Sequence, residues 1–274
     1  MKTLFFLTTI LITSFSFGLN PTAKYTKKPD VVGLLYKTVK VAGEGDGVEL
    51  NTWIMTPKSG RKTTQLVLIA HNGEGNMGDY LRKYKTFSDL GYMVVAFDYR
   101  GFGESSDFEI DNNMYVYPHF LEDVQTMINY CSKLVEGGSI DVYGFGIGGG
   151  MAFGAGWNAP SVNKIIADTP FLSMEDLEER FESWDEPMEV PFAGYDKVCE
   201  PIHAVRTEIK GKSKKILIIS GSNDLLYKTE DMEKLRSAKK EIISVVVIEN
   251  PDNKLNYDAD SASWIKNVSS FLMR

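Results

Sequence analysis

Between residues 33 and 272 short apolar runs alternate with stretches of helical periodicity, and this alternation restricts the fold more than any other feature of the chain. Gly33 to Ala42 and Val48 to Met55 are rich in strand formers, and Gly43-Glu44-Gly45-Asp46-Gly47 between them reads as a hairpin turn. Strands are then predicted at Gln65–Ala70, Tyr92–Phe97, Ile140–Tyr143, Lys164–Ala167, Lys215–Ser220 and Ile242–Ile248. Helices are predicted at Asp79–Leu90, Pro118–Val135, Gly149–Trp157, Thr229–Lys239 and Ala259–Leu272. Strands joined through helices run parallel and need a helical layer on each face. On such sheets ligands sit beyond the carboxyl ends of the strands, so chemistry is sought there.

Two regions depart from the alternation. Residues 171–212 follow a strand end and carry Glu175, Asp176, Glu178, Glu179, Glu182, Asp185, Glu186 and Glu189, with Phe171, Phe181, Trp184, Phe192 and Tyr195 interleaved. This segment is predicted to be a short cap over the ligand edge, with Phe181, Trp184 and Phe192 as pocket candidates; packing of the rings beneath a solvated acidic surface would explain the same pattern. At the other end, Lys2, the apolar run Leu4 to Ile12, and Ser16 and Gly18 around Phe17 match a signal peptide over residues 1–18. The run is too short and too rich in Ser and Thr for a stable membrane span. A secreted or periplasmic protein is therefore expected, with a linker at 19–32 and one domain at 33–274. Its two cysteines, Cys131 and Cys199, make no disulfide framework, and a sheet of this size does not need a Cys131–Cys199 bridge. A net charge of −7 without a basic cluster excludes nucleic acid as the expected partner.

Three strand-end loops carry motifs. His71-Asn72-Gly73-Glu74-Gly75-Asn76 follows the third strand, Asp98-Tyr99-Arg100-Gly101-Phe102-Gly103-Glu104-Ser105 the fourth, and Gly144-Phe145-Gly146-Ile147-Gly148-Gly149 the fifth. In this order they resemble the α/β-hydrolase superfamily, whose serine aminopeptidase, lipase and esterase members are the most similar. The second loop matches the D-x-R-G-x-G-x-S pattern throughout. The resemblance implies an eight-stranded, mostly parallel sheet flanked by helices, with a nucleophile elbow G-x-S-x-G at residues 144–148 and oxyanion-hole amides from Asn72 or Gly73 and Ile147.

At the elbow the nucleophile position is Gly146, which has no side chain to attack with. The acid is present as Asp224, in the loop after the seventh strand. The family's histidine belongs after the eighth strand, yet the three histidines of the chain, His71, His119 and His203, all precede Asp224. By its distance from Phe271-Leu272, Lys254 is assigned to the vacant position, with Asn253 and Asn256 as neighbours. Loss of one triad member costs roughly 10⁴- to 10⁶-fold in turnover, so a pseudo-hydrolase is expected, binding a small apolar or acyl ligand, or a protein partner, in the old cleft. Two alternatives stay open. An esterase- or peptidase-type enzyme would use Ser105, Ser222 or Cys199 as an atypical nucleophile. A dinucleotide protein would use Gly144-x-Gly146-x-x-Gly149, a literal G-x-G-x-x-G, with Asp168 at the next strand end. No metal and no other cofactor is expected, because the acidic cap shows no ligand spacing.

Overall fold

The computed structural model describes residues 18–57, 63–135, 137, 139–211, 214–250, 252 and 254–274. Its central sheet has eight strands: β1 (Tyr36–Ala42), β2 (Glu49–Met55), β3 (Leu66–Ala70), β4 (Met93–Phe97), β5 (Ile140–Phe145), β6 (Val162–Asp168), β7 (Lys215–Gly221) and β8 (Ile243–Ile248). Across the sheet they lie in the order 1-2-4-3-5-6-7-8. The β1–β2 hairpin is antiparallel, β2 is antiparallel to β4, and every other pairing is parallel. This is the α/β-hydrolase arrangement the motifs implied.

Period-two alternation feeds two cores. Leu66, Leu68 and Ala70 of β3 face one core, and Val67 and Ile69 face the other. The first core is closed by α2 (Pro118–Ser132), α3 (Ile147–Asn158) and the helix after β7, Thr229–Ala238. The second is closed by α1 (Leu81–Asp89), through Leu81, Tyr84 and Phe87, and by the C-terminal helix Ser261–Leu272, through Trp264, Val268 and Leu272. Burying both faces explains why β3 and β4 read as unbroken apolar runs.

The cap is small. It consists of a helix (Met174–Phe181), capped by Ser173 Oγ accepting from Asp176 N at 3.1 Å, irregular chain anchored by the Met114–Glu189 bridge, and two short helical turns at Lys197–Cys199 and Pro201–Ala204. Both cysteines are free, buried thiols.

The segment 19–32 is not a linker. Leu19 is 1% exposed, Asn20–Pro21 pairs in parallel with Glu74–Gly75, and the Tyr25 ring lies 4.8 Å from that of Trp53 while its hydroxyl donates to Asp98. Its anchors are isolated among polar residues and follow no period, so composition alone made the segment read as a tether. Residues 1–17, most of the signal peptide read from the sequence, lie outside the described residues.

Candidate functional site

The loops leaving β3, β5, β6, β7 and β8 enclose a cavity of about 660 Å³ at the carboxyl edge of the sheet. Among the residues on its wall are Asn72, Gly146, Ile147, Asp224 and Lys254. The fold thus gathers the predicted triad positions into one place.

At the elbow, Gly146 has φ 58° and ψ −128°, a conformation that costs a residue with a Cβ about 1–3 kcal/mol. Its amide donates to Asp168 O at 3.0 Å, and its carbonyl accepts from Gly149 N at 2.9 Å, so strand and helix lock the turn from both sides. A Cβ at this position would stand 2.7 Å from Asn72 Cβ. Asn72 is itself held, because Tyr80 Oη donates to Asn72 Oδ1 at 2.6 Å. The chain therefore does more than omit the nucleophile: the side chain of Asn72 crowds the space where one would be attached.

The oxyanion side differs from expectation in one respect. Gly73 N donates to His71 Nδ1 at 3.2 Å and is committed within its own loop. Leu19 covers the same spot, since a Cβ on Gly73 would lie 2.7 Å from both Leu19 Cδ2 and Ile147 Cδ1. Asn20 N donates to Gly73 O at 3.0 Å and fastens this strap. Ile147 opens α3 on the cavity wall, where first-turn amides have no partner within the helix. His71 is buried, and with no solvent to stabilise a cation its imidazole is held down to about 3; with Nδ1 accepting, it is a neutral packing residue.

Asp224 Oδ1 accepts from Leu226 N at 2.9 Å and Tyr227 N at 2.7 Å, and burial pushes its carboxyl above the usual range. Lys254 does not take the histidine role. Its ammonium turns outward to Asp252 at 2.7 Å, with the two side chains 57% and 66% exposed. The side chain entering from this loop is that of Asn256, whose Nδ2 donates to Asp168 Oδ1 at 2.7 Å. Asp168 also accepts from Trp264 Nε1 at 2.9 Å and Tyr143 Oη at 3.4 Å, and burial raises it to about 6 despite these donors. An amide next to a carboxylate fixes geometry but cannot shuttle a proton.

The predicted pocket aromatics do not line the cavity. Phe181 is buried against Tyr115 and Trp184, with ring centroids 5.4 and 5.0 Å apart, and Phe192 is 51% exposed. Packing took the cap aromatics, while Tyr115, Phe145, Leu226 and Tyr227 form the apolar wall. Lys83 was also missed. It is 3% exposed on α1, its ammonium 3.3 Å from Asp258 and 4.9–5.4 Å from the ring centroids of Tyr80, Phe145 and Tyr257. Burial lowers its pKa. The signal was a lysine inside the apolar stripe of Leu81, Tyr84 and Phe87. Thr169, on the wall beside Asp168, has φ 49°, the one positive value for a non-glycine among the described residues. A β-branched residue there is strained, and such strain clusters at binding sites.

The groups named for the two alternatives are engaged elsewhere. Ser105 Oγ donates to Asp98 O at 2.7 Å and accepts from Asn51 N at 2.8 Å, so it is tied into its own loop. Ser222 Oγ accepts from Asn250 N at 2.9 Å and is not on the cavity wall. The Cys199 thiol is buried and pushed up to about 12, which leaves no thiolate. For a dinucleotide, the glycines would need an open face for the pyrophosphate. Instead a Cβ on Gly148 would stand 2.3 Å from Ala70 O and one on Gly149 2.7 Å from Asp168 O, so both serve helix–sheet packing. The Asp168 carboxylate is already saturated by side-chain donors.

The sheet order, the elbow and the loop sequence define the class: the chain has the α/β-hydrolase fold. Within it, the family model of serine aminopeptidase S33 matches residues 61–184, somewhat less than half of the chain. The Pyrococcus furiosus esterase Pf2001 superposes with a TM-score of 0.70 at 20% identity, covering 93% of this chain and 99% of that one. The uncharacterized protein YfhR of Escherichia coli K12 is 25% identical over 217 residues, 76% of this chain and 70% of its own length. The uncharacterized protein YqkD of Bacillus subtilis is 22% identical over 250 residues, 86% and 79% of the two chains.

Proposed function

We propose that this protein is an exported, non-catalytic member of the superfamily that holds a small ligand with an acyl or other apolar portion in the former active-site cleft. The observation that carries the reading is the elbow: Gly146 keeps the nucleophile's backbone geometry while Asn72 crowds the nucleophile's space. No histidine lines the cavity, and among the described residues Asp224 faces it with only backbone donors. Oxyanion-type stabilisation on its own is worth on the order of 10³-fold over water, too little for most metabolic reactions. The cavity remains built, with an apolar part formed by Tyr115, Phe145, Leu226 and Tyr227 alongside polar and charged groups, and such concave pockets are where small ligands bind. Export rests on the composition of residues 1–18. The test is to treat the purified mature protein with a fluorophosphonate probe and p-nitrophenyl esters. No labelling and no turnover above background are expected; stoichiometric labelling of any serine would overturn the reading.

A further inference from the structure

The cavity wall carries four carboxylates, Glu74, Asp168, Asp224 and Asp258, against two amines, Lys83 and Lys254. Most of these charges are already matched. Lys83 pairs with Asp258, Lys254 with Asp252, Asp168 takes its three side-chain donors, and Glu74 is exposed at the rim. Asp224 is the exception. Its Oδ1 holds two backbone amides, and its Oδ2 has no hydrogen-bond donor among the described residues. Arg180, whose charge acts on Asp224, is spent on Asp176, Asp231 and Leu226 O, and it stacks on Tyr227 at 4.3 Å. A half-buried carboxylate is stabilised by a cationic N–H donor within reach, and in a triad the imidazole is that donor. Here the place is open.

We propose that the cleft selects ligands bearing a protonated amine or similar cationic N–H donor, seated on Asp224, with an aromatic or alkyl body against Tyr115, Leu226 and Tyr227. This inference rests on the cleft being a ligand site. The aromatic walls suit it, because ring faces attract cations as well as burying apolar surface. An anionic ligand would instead enter a cavity in which carboxylates outnumber amines.

Three probes of one shape separate the possibilities: benzylamine, benzyl alcohol and benzoate, titrated into the mature chain at neutral pH and followed by amide chemical shifts of Gly146, Ile147 and Leu226. Benzylamine is expected to bind at least tenfold more tightly than the other two. Asp224→Asn should weaken it roughly 10- to 100-fold, the value of a hydrogen bond to a charged group. That variant can keep its turn, since an amide oxygen still accepts from Leu226 N and Tyr227 N; the probe ranking on the unmodified chain decides the matter even if it does not fold. Equal or tighter binding of benzyl alcohol or benzoate at the same amides would overturn the cation preference while leaving the ligand cleft standing. Unchanged benzylamine binding in folded Asp224→Asn would do the same. No shift with any probe would overturn both.

Discussion

The loop after β4 and the elbow after β5 leave the same sheet edge on either side of β3, and they carry opposite halves of the same inheritance of motifs. In the Asp98–Ser105 loop every motif residue is present and engaged in holding backbone. Asp98 accepts from Met77 N at 2.7 Å, Ser105 bridges Asp98 O and Asn51 N, and Arg100 forms a buried pair with Asp123 at 2.6 Å. At the elbow the backbone geometry is present, but the atom that would react is not. The comparison teaches that a motif can match throughout and still say nothing about catalysis. Its residues here are scaffolding, whereas in a triad hydrolase the reaction depends on two positions, nucleophile and histidine, at which this chain carries neither side chain.

Breaking the scaffold should therefore have the largest effect. Arg100 donates to Asp123 through both Nε and Nη2 while nearly excluded from solvent, so Arg100→Ala leaves a buried carboxylate without its partner. Loss of about 3–5 kcal/mol is expected from urea melts. A change below about 1 kcal/mol would mean the loop is not the staple its geometry indicates.

The second effect lies at the site itself and depends on pH. Asp168 is raised from 3.8 to about 6, so the native state binds its proton more tightly than the unfolded chain does. The sign follows from linkage: this group favours folding most below about pH 4, and that contribution is lost as pH rises to about 6. Two pKa units correspond to about 3 kcal/mol. Asp168→Asn removes the titration, so the stability difference between wild type and variant should shift against the wild type across this window. A difference independent of pH would show that the donors from Asn256, Trp264 and Tyr143 hold the carboxylate in its ordinary range.

Third comes the elbow. Gly146→Ser should cost about 1–3 kcal/mol from the backbone angles, plus whatever is needed to move Asn72, and should confer no esterase activity. Asn72→Gly in the same chain removes the 2.7 Å encounter and should return part of the loss, a coupling that a double-mutant cycle reads directly. An unchanged midpoint for Gly146→Ser would mean that residue 146 is not held in the strained turn.

What was legible in the sequence divides along the same line. The sheet could be read because burial on both faces makes strands into continuous apolar runs, and the missing chemistry could be read because Gly146 and the late loop lack the necessary side chains. The cap aromatics could not be placed. Phe181 and Trp184 lie three residues apart in sequence, a spacing that serves core and pocket equally, and contact of Phe181 with Tyr115 decided for the core. Leu19 was hidden in a polar stretch, and the crowding by Asn72 depends on two loops meeting across the sheet edge, which no local pattern records.

The loop after β8 shows that limit most clearly and gives the smallest expected effect. It offers no period, only polar residues at similar distances from the C-terminal helix, so counting residues favoured Lys254 for the histidine position. In the structure Asn250 closes the loop from inside, its Nδ2 donating to Asn256 Oδ1 at 3.0 Å while its Oδ1 accepts from Lys254 N at 2.9 Å. Lys254 is thereby held by its backbone, and its side chain is left to an exposed pair with Asp252. Such pairs contribute about 0–1 kcal/mol. Lys254→Ala should change stability by less than about 0.5 kcal/mol, and Lys254→His added to Gly146→Ser should give no esterase activity, because a side chain leaving the loop toward solvent cannot bridge Asp224 and residue 146. Measurable ester hydrolysis by that double variant would place residue 254 inside the cleft, return the histidine position to it, and make the emptiness of the site a matter of two side chains alone.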